Sequence, residues 1–141
     1  MNASEIARAC ADAMWAEDSA SKGLGMQLVS VQPGRAVMAM TVTDQMVNGL
    51  NICHGGFIFT LADSTFAFAC NSHNKNTVAA GCSIEFLRPA HAGDMLTSEG
   101  VEQMLSGRHG IYDIRVSNQH GQTVAMFRGK SAQIAGTVVP A

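Results

Sequence analysis

The stretch from Gly55 to Asn71 constrains this chain more than any other part of it. It contains no proline, carries Phe57, Phe59, Phe66 and Phe68, and has one charged residue, Asp63, anywhere between His54 and His73. Read as a helix, these spacings point apolar side chains in several directions, and a helix that is apolar nearly all round must be buried by the rest of the chain. Everything that follows it reads as extended. Over 77–87, Val78, Ala80, Cys82, Ile84 and Phe86 recur at period two, which predicts a strand with these five on one face. Further strands are expected over 94–105, 110–118 and 122–134, with turns at 106–110 and 119–121.

Before the helix, a segment over about 4–20 reads as helical, with Ser4 as N-cap and Ile6, Cys10, Ala13 and Met14 as its apolar stripe. Gly23 is its expected stop. Two strands, 26–32 and 35–43, meet at Pro33-Gly34, and a short helical turn is expected over 44–49. Neither set of strands is large enough to cover the central helix alone, so both must share one sheet. The expectation is an α+β fold in which a curved antiparallel β-sheet wraps around one long central helix, in a single domain spanning 1–141.

The composition says what surrounds such a domain. Charged residues are 14% of the chain and hydrophobic ones 47%, with a formal net charge of −2. About 25% charged is usual for a soluble domain. This balance disfavours a nucleic-acid footprint and disorder, and it predicts surface hidden against copies of the same chain. The start, Met1-Asn2-Ala3-Ser4-Glu5, lacks the basic residue and apolar run of a signal peptide, and the apolar-rich stretch 57–70 is shorter than the about 20 residues of a membrane span. A cytoplasmic location without membrane attachment is expected. Cys10, Cys53, Cys70 and Cys82 show no metal-ligand spacing and are expected to be reduced and mostly buried, with no metal and no cofactor.

The polar residues of the central helix are not scattered. Gly56, Thr60, Asp63, Ser64, Ala67 and Asn71 step by three or four and line one face. An Asp in a buried helix is costly unless it is paired or put to use. One reading bonds Asp63 to the hydroxyls of Thr60 or Ser64 as a structural group. The other faces it into a cavity as a reactive carboxylate tuned by partial burial. At the helix start, His54-Gly55-Gly56 puts residues with little bulk where backbone N–H groups are unpaired and the helix dipole is positive, a place suited to a carbonyl oxygen gaining negative charge. Asp63 lies eight residues beyond Gly55, about 12 Å along the helix axis. The two cannot reach one reacting atom from the same helix. If they serve one reaction, they come from different subunits of a two-fold dimer, which then holds two composite sites.

The run NGLNICHGGFIFTLAD over 48–63 resembles the hotdog-fold acyl-CoA thioesterases of the PaaI type, in the pattern NG-(x)4-HGG-(x)6-D. The likeness continues through FAFACNS (66–72), IEFLRP (84–89) and VAMFRGKS (124–131), and covers the chain from about 26 to 134. The resemblance implies hydrolysis of an acyl-CoA, with phenylacetyl and hydroxyphenylacetyl groups typical, and CoA entering only as part of the substrate. It implies that the Gly55 N–H polarises the thioester carbonyl, that Asp63 of the opposing subunit is base or nucleophile, that Asn48 positions water or carbonyl, and that His54 lies beside the site. It also adds a dimer of dimers, a homotetramer, to the homodimer.

Around these, Ser64 and Gly56 are candidates for substrate contact from the helix, Ser83 from its strand, and Arg88, Arg128 and Lys130 for the CoA phosphates, since few other cations exist. Arg88, Arg128 and Lys130 serve equally as strand-end ion-pair partners. His73, His91, His109 and His120 sit in polar or turn segments and read as solvated. No GxSxG elbow, HExxH or P-loop is present. Two alternatives use the same helix: a hotdog dehydratase acting on a hydroxyacyl thioester, and a non-catalytic acyl-CoA sensor. The HGG start and the Asp placement fit hydrolysis better than dehydration, and a sensor would normally be joined to an effector domain.

Overall fold

The computed structural model describes residues 1–140. Helix α1 covers Ala3–Glu17 and α2 Ser19–Gly23; strands β1 Gln27–Gln32 and β2 Arg35–Thr41 follow, then a 3-10 turn at Asp44–Met46. The central helix α3 spans Gly55–Cys70, and β3 Thr77–Phe86, β4 Met95–Ser106, β5 His109–Ser117 and β6 Thr123–Gln133 complete the chain. One six-stranded sheet, every pairing antiparallel, has the order β1-β2-β4-β5-β6-β3. Strands from before and after α3 therefore share the sheet, as expected from the burial it needs.

The sheet closes on α3 through alternation. Ala36, Met38 and Met40 of β2, Leu96, Ser98 and Gly100 of β4, Tyr112, Ile114 and Val116 of β5 and Phe127 of β6 are all buried on the helix side. From the helix, Ile58, Leu61, Ala62, Thr65, Phe66, Phe68 and Ala69 fill the concavity. Phe66 packs on Tyr112 and Phe127 at ring-centroid distances of 5.7 and 5.8 Å. It comes this close because residue 129 is glycine: a Cβ there would sit 2.7 Å from the Phe66 ring. Bulges in β1, β3, β4 and β6 interrupt the ladders and help bend the sheet.

Three expectations need correction. The N-cap of α1 is Asn2, not Ser4. Its side chain accepts from the Glu5 N–H at 2.9 Å while Glu5 accepts from the Asn2 N–H, a reciprocal box that needs the acid three residues on, where Glu5 stands from Asn2. The first helix also breaks at Asp18, which caps α2 by accepting from the Ser21 N–H at 2.9 Å. In β3 the bulge between Ala79 and Gly81 shifts the register, so Cys82, Ile84 and Phe86 pair with residues on the helix side while Val78 falls on the outer one. The cysteines are mostly buried, as expected: Cys10, Cys53 and Cys70 are buried, and Cys82 is exposed on the edge strand β3.

Candidate active site

The uncovered face of α3 is the stripe that the sequence marks out. Gly56, Thr60, Asp63, Ser64 and Ala67 are all at least partly exposed, whereas Ile58, Leu61, Ala62, Phe66, Phe68 and Ala69 are buried. Asn71 departs from the stripe. Its side chain turns inward, donating to the carbonyls of Ala67 and Thr77 and accepting from the Thr77 N–H at 2.9 Å, and so ties the helix end to the start of β3.

Asp63 is half-buried, and among the described residues no donor reaches its carboxylate. Its two neighbouring hydroxyls are taken. Thr60 donates to the Gly56 carbonyl at 2.8 Å. Ser64 shares a hydrogen bond of 2.8 Å with Ser21, whose own hydroxyl donates to Asp18 at 2.7 Å. The Ser21 hydroxyl has one proton and gives it to Asp18, so Ser64 must be the donor to Ser21. Ser64 thus offers the outer face acceptor capacity alone. Desolvation without compensation raises the Asp63 pKa above the ordinary carboxylate range. The structural reading of Asp63 therefore fails on its own terms, since the hydroxyls it would use are bonded elsewhere. Its charge also adds to the burial that pushes the Cys70 thiol up to about 12 and raises Cys82.

At the other end of the helix, His54 is the N-cap, its Nδ1 accepting from the Gly56 N–H at 3.1 Å. An accepting Nδ1 puts the proton of the neutral ring on Nε2. The Gly55 N–H has no acceptor among the described residues and is a free donor at the positive end of α3. His54 itself is held by its N–H to the Met46 carbonyl at 2.8 Å. Asn48 organises the loop before it: Oδ1 accepts from Leu50 and Ile52 N–H at 2.9 and 3.2 Å. That assignment leaves its Nδ2 with no acceptor among the described residues.

A cavity of about 480 Å³ opens beside Gly55. Ile52, Ile58, Phe86, Leu87 and Pro89 line it, and Arg88 is the cation among its walls. The Arg88 guanidinium donates to the Thr123 carbonyl at 3.2 Å. Arg128 and Lys130 lie elsewhere. They alternate with Phe127 and Gly129, which face α3, so they project from the outer side of the sheet. Arg128 makes a two-pronged pair with Asp113 at 2.6 and 2.8 Å, holding the Asp113 carboxyl below the usual range. Ser83 is in register with Arg128 and shares that outer side. Within one protomer the structure therefore gathers Gly55, Gly56, His54 and Arg88 at one end of α3, puts Asp63 and Ser64 further along it, and separates Ser83, Arg128 and Lys130 from both. Two features were not read from the sequence: the Asp18–Ser21–Ser64 relay, which depends on a contact across 43 positions, and the seat of Phe86 on Gly55.

Known proteins resemble this chain in sequence and fold. Residues 50–125 match the model of the thioesterase superfamily. The acyl-coenzyme A thioesterase PaaI of Escherichia coli is 49% identical over 128 residues, which are 91% of either chain. The solved structure of the E. coli PaaI protein from the phenylacetic acid degradation operon superposes with a TM-score of 0.95 at 48% identity, covering 96% of this chain and 99% of that one. A Streptococcus mutans protein solved bound to acetyl CoA matches at 27% identity and a TM-score of 0.76, over 79% of this chain and 90% of its own. With the HGG helix entry, the exposed Asp63 stripe and the wrapped antiparallel sheet all in place, the chain belongs to the thioesterase superfamily, among the hotdog-fold acyl-CoA thioesterases of the PaaI type.

Proposed function

We propose that this protein hydrolyses aryl-acetyl CoA thioesters, phenylacetyl-CoA and its hydroxylated forms, at two composite sites of a homodimer, itself paired into a tetramer. The observation that carries the reading is the state of Asp63: half-buried, aimed at an uncovered helix face, and without a hydrogen-bond donor. The free Gly55 N–H supports the other half of the site. Their spacing along α3 supports a partner subunit, with Asp63 of the partner subunit facing Gly55 of this one. The exposed edge of β3 beside the same face supports an interface there. The aryl-acetyl class rests on the likeness to the PaaI proteins.

In the reaction, the thioester carbonyl accepts from the Gly55 N–H, and the helix dipole stabilises the charge that develops on that oxygen. Losing one such donor typically costs about 10²–10³ in rate. His54 contributes by capping the Gly56 N–H, which leaves the Gly55 N–H beside it free. Asn48 offers its Nδ2 to the water or the carbonyl, and Arg88 is the cation placed to meet a CoA phosphate. Asp63 has two routes. As a base it takes a proton from water, whose oxygen adds to the carbonyl carbon; the C–S bond then breaks and the thiolate leaves. As a nucleophile its own oxygen adds to the carbonyl carbon, the C–S bond breaks to expel the thiolate, and water cleaves the resulting anhydride to release the acid and restore Asp63.

Thiol release from phenylacetyl-CoA tests the function. Asp63→Asn should fold, dimerise and bind CoA while losing about 10²–10⁴ in turnover. Activity within a few-fold of wild type would sink the assignment. A single turnover in ¹⁸O-water separates the routes, since attack by Asp63 leaves the label first in the enzyme carboxylate. Arg88→Ala should raise KM for the CoA thioester more than Arg128→Ala does.

A further inference from the structure

Phe86 stands apart from the other aromatic residues. Of the six phenylalanines, Phe57 pairs with His54, Phe59 and Phe66 with Phe127, and Phe68 with Trp15. Phe86 has no ring partner among the described residues. It is 52% exposed, at the end of an edge strand, in a wall of the cavity beside Gly55. One edge of its ring is nonetheless seated: a Cβ on Gly55 would lie 2.9 Å from Phe86 Cζ, with two further ring atoms at 3.3 and 3.4 Å. An aromatic ring fixed against one residue, with its remaining surface open to an apolar cavity, is a platform without an occupant.

The occupant follows from distances. A carbonyl oxygen accepting from the Gly55 N–H sits about 2.9 Å from that nitrogen, and the nitrogen is about 1.5 Å from the α-carbon on which the ring packs. A carbonyl held there is therefore anchored on the residue that seats the ring, at the cavity that both residues line. The other walls, Ile52, Ile58, Leu87 and Pro89, are apolar, which suits an acyl group and not the amides and phosphates of a CoA arm.

The geometry points to Phe86 as a specificity-determining residue: its ring is the surface against which an aromatic acyl group stacks while the carbonyl is held at Gly55. This rests on the thioesterase reading given above. An aromatic pair contributes a free energy that corresponds to about two- to tenfold in kcat/KM. The test compares phenylacetyl-CoA with butanoyl-CoA. Phe86→Leu, which keeps apolar bulk but removes the ring, should lower the aryl-to-alkyl ratio of kcat/KM by about two- to tenfold, and Phe86→Tyr should restore it. An unchanged ratio in Phe86→Leu overturns the inference. The contact has its own readout in thermal melting. Gly55→Ala should destabilise the wild-type chain, yet be tolerated in Phe86→Ala, where the space is open; equal cost in both backgrounds shows that the ring does not sit on Gly55 and also overturns it. Asp63→Asn is run in parallel. If it retains turnover, the catalytic reading itself fails; if it is inactive while the ratio is unmoved by Phe86→Leu, only the role of Phe86 fails.

Discussion

If Gly55 and Asp63 act on one substrate from two protomers, two inactive variants should restore each other. Asp63→Asn removes the carboxylate. Gly55→Pro removes the N–H donor and little else of the helix, because residue 55 is the first helical position, where proline is favoured. His54, at φ −61 and ψ 133, already holds the extended conformation that a residue before proline requires. The proline ring displaces Phe86 from its seat on Gly55, so thermal melting first shows that the Gly55→Pro chain is folded. Each variant alone should fall by about 10²-fold or more. In a dimer of one variant with the other, one site combines both lesions and the second combines the intact Gly55 of one protomer with the intact Asp63 of its partner. Random refolding of an equal mixture yields half mixed dimers, each with one working site, so about a quarter of wild-type activity returns. A mixed dimer isolated through two different affinity tags should show about half. Thiol release measures both. A mixture no more active than the mean of its parents would refute the cross-subunit geometry, because a site built within one protomer carries a lesion in every combination.

Other consequences are simpler to read. The raised pKa of Asp63 means that the folded state binds its proton more tightly than the unfolded chain does, so its ionised form costs stability as pH rises from the unfolded pKa through the folded one. Asp63→Asn should melt higher than wild type at neutral pH, with the gap closing as pH falls below the ordinary carboxylate range; a gap independent of pH contradicts this. By the same shift, the acid limb of kcat should lie above the pH at which an unperturbed Asp ionises. Gly129→Ala puts a Cβ 2.7–2.8 Å from three atoms of the Phe66 ring, itself pinned between Tyr112 and Phe127. It should cost about 1–3 kcal/mol in a chemical denaturation experiment, and an Ala variant as stable as wild type would show that the ring yields. Tyr112→Phe removes a buried hydroxyl that donates at 2.7 Å to Glu102, which also pairs with His73 at the same distance. Its expected loss is about 1–2 kcal/mol with no change in kcat, since the cluster lies at the far end of α3 from Gly55.

The sequence alone determined the central helix, the shared antiparallel sheet and the position of the small-residue stripe that carries Asp63. These depend on periodicity, and periodicity is written in local spacing: one Asp among small residues at three- and four-step intervals can be read without coordinates. The eight-residue gap between Gly55 and Asp63 likewise follows from helix rise alone. Tertiary structure decided what depends on contacts between distant positions. Ser21 claims the hydroxyl of Ser64, so Asp63 is left without a donor; nothing near Asp63 in the chain foretells that. A bulge at Ala79–Gly81 turns Val78 outward and keeps Phe86 on the helix side, and a single inserted residue does this without breaking the hydrophobic pattern. The side of the sheet taken by Ser83, Arg128 and Lys130 is a matter of register, set where β3 and β6 pair and by the close fit of Gly129 to Phe66. Local spacing specifies which residues share a face; only packing specifies what that face meets.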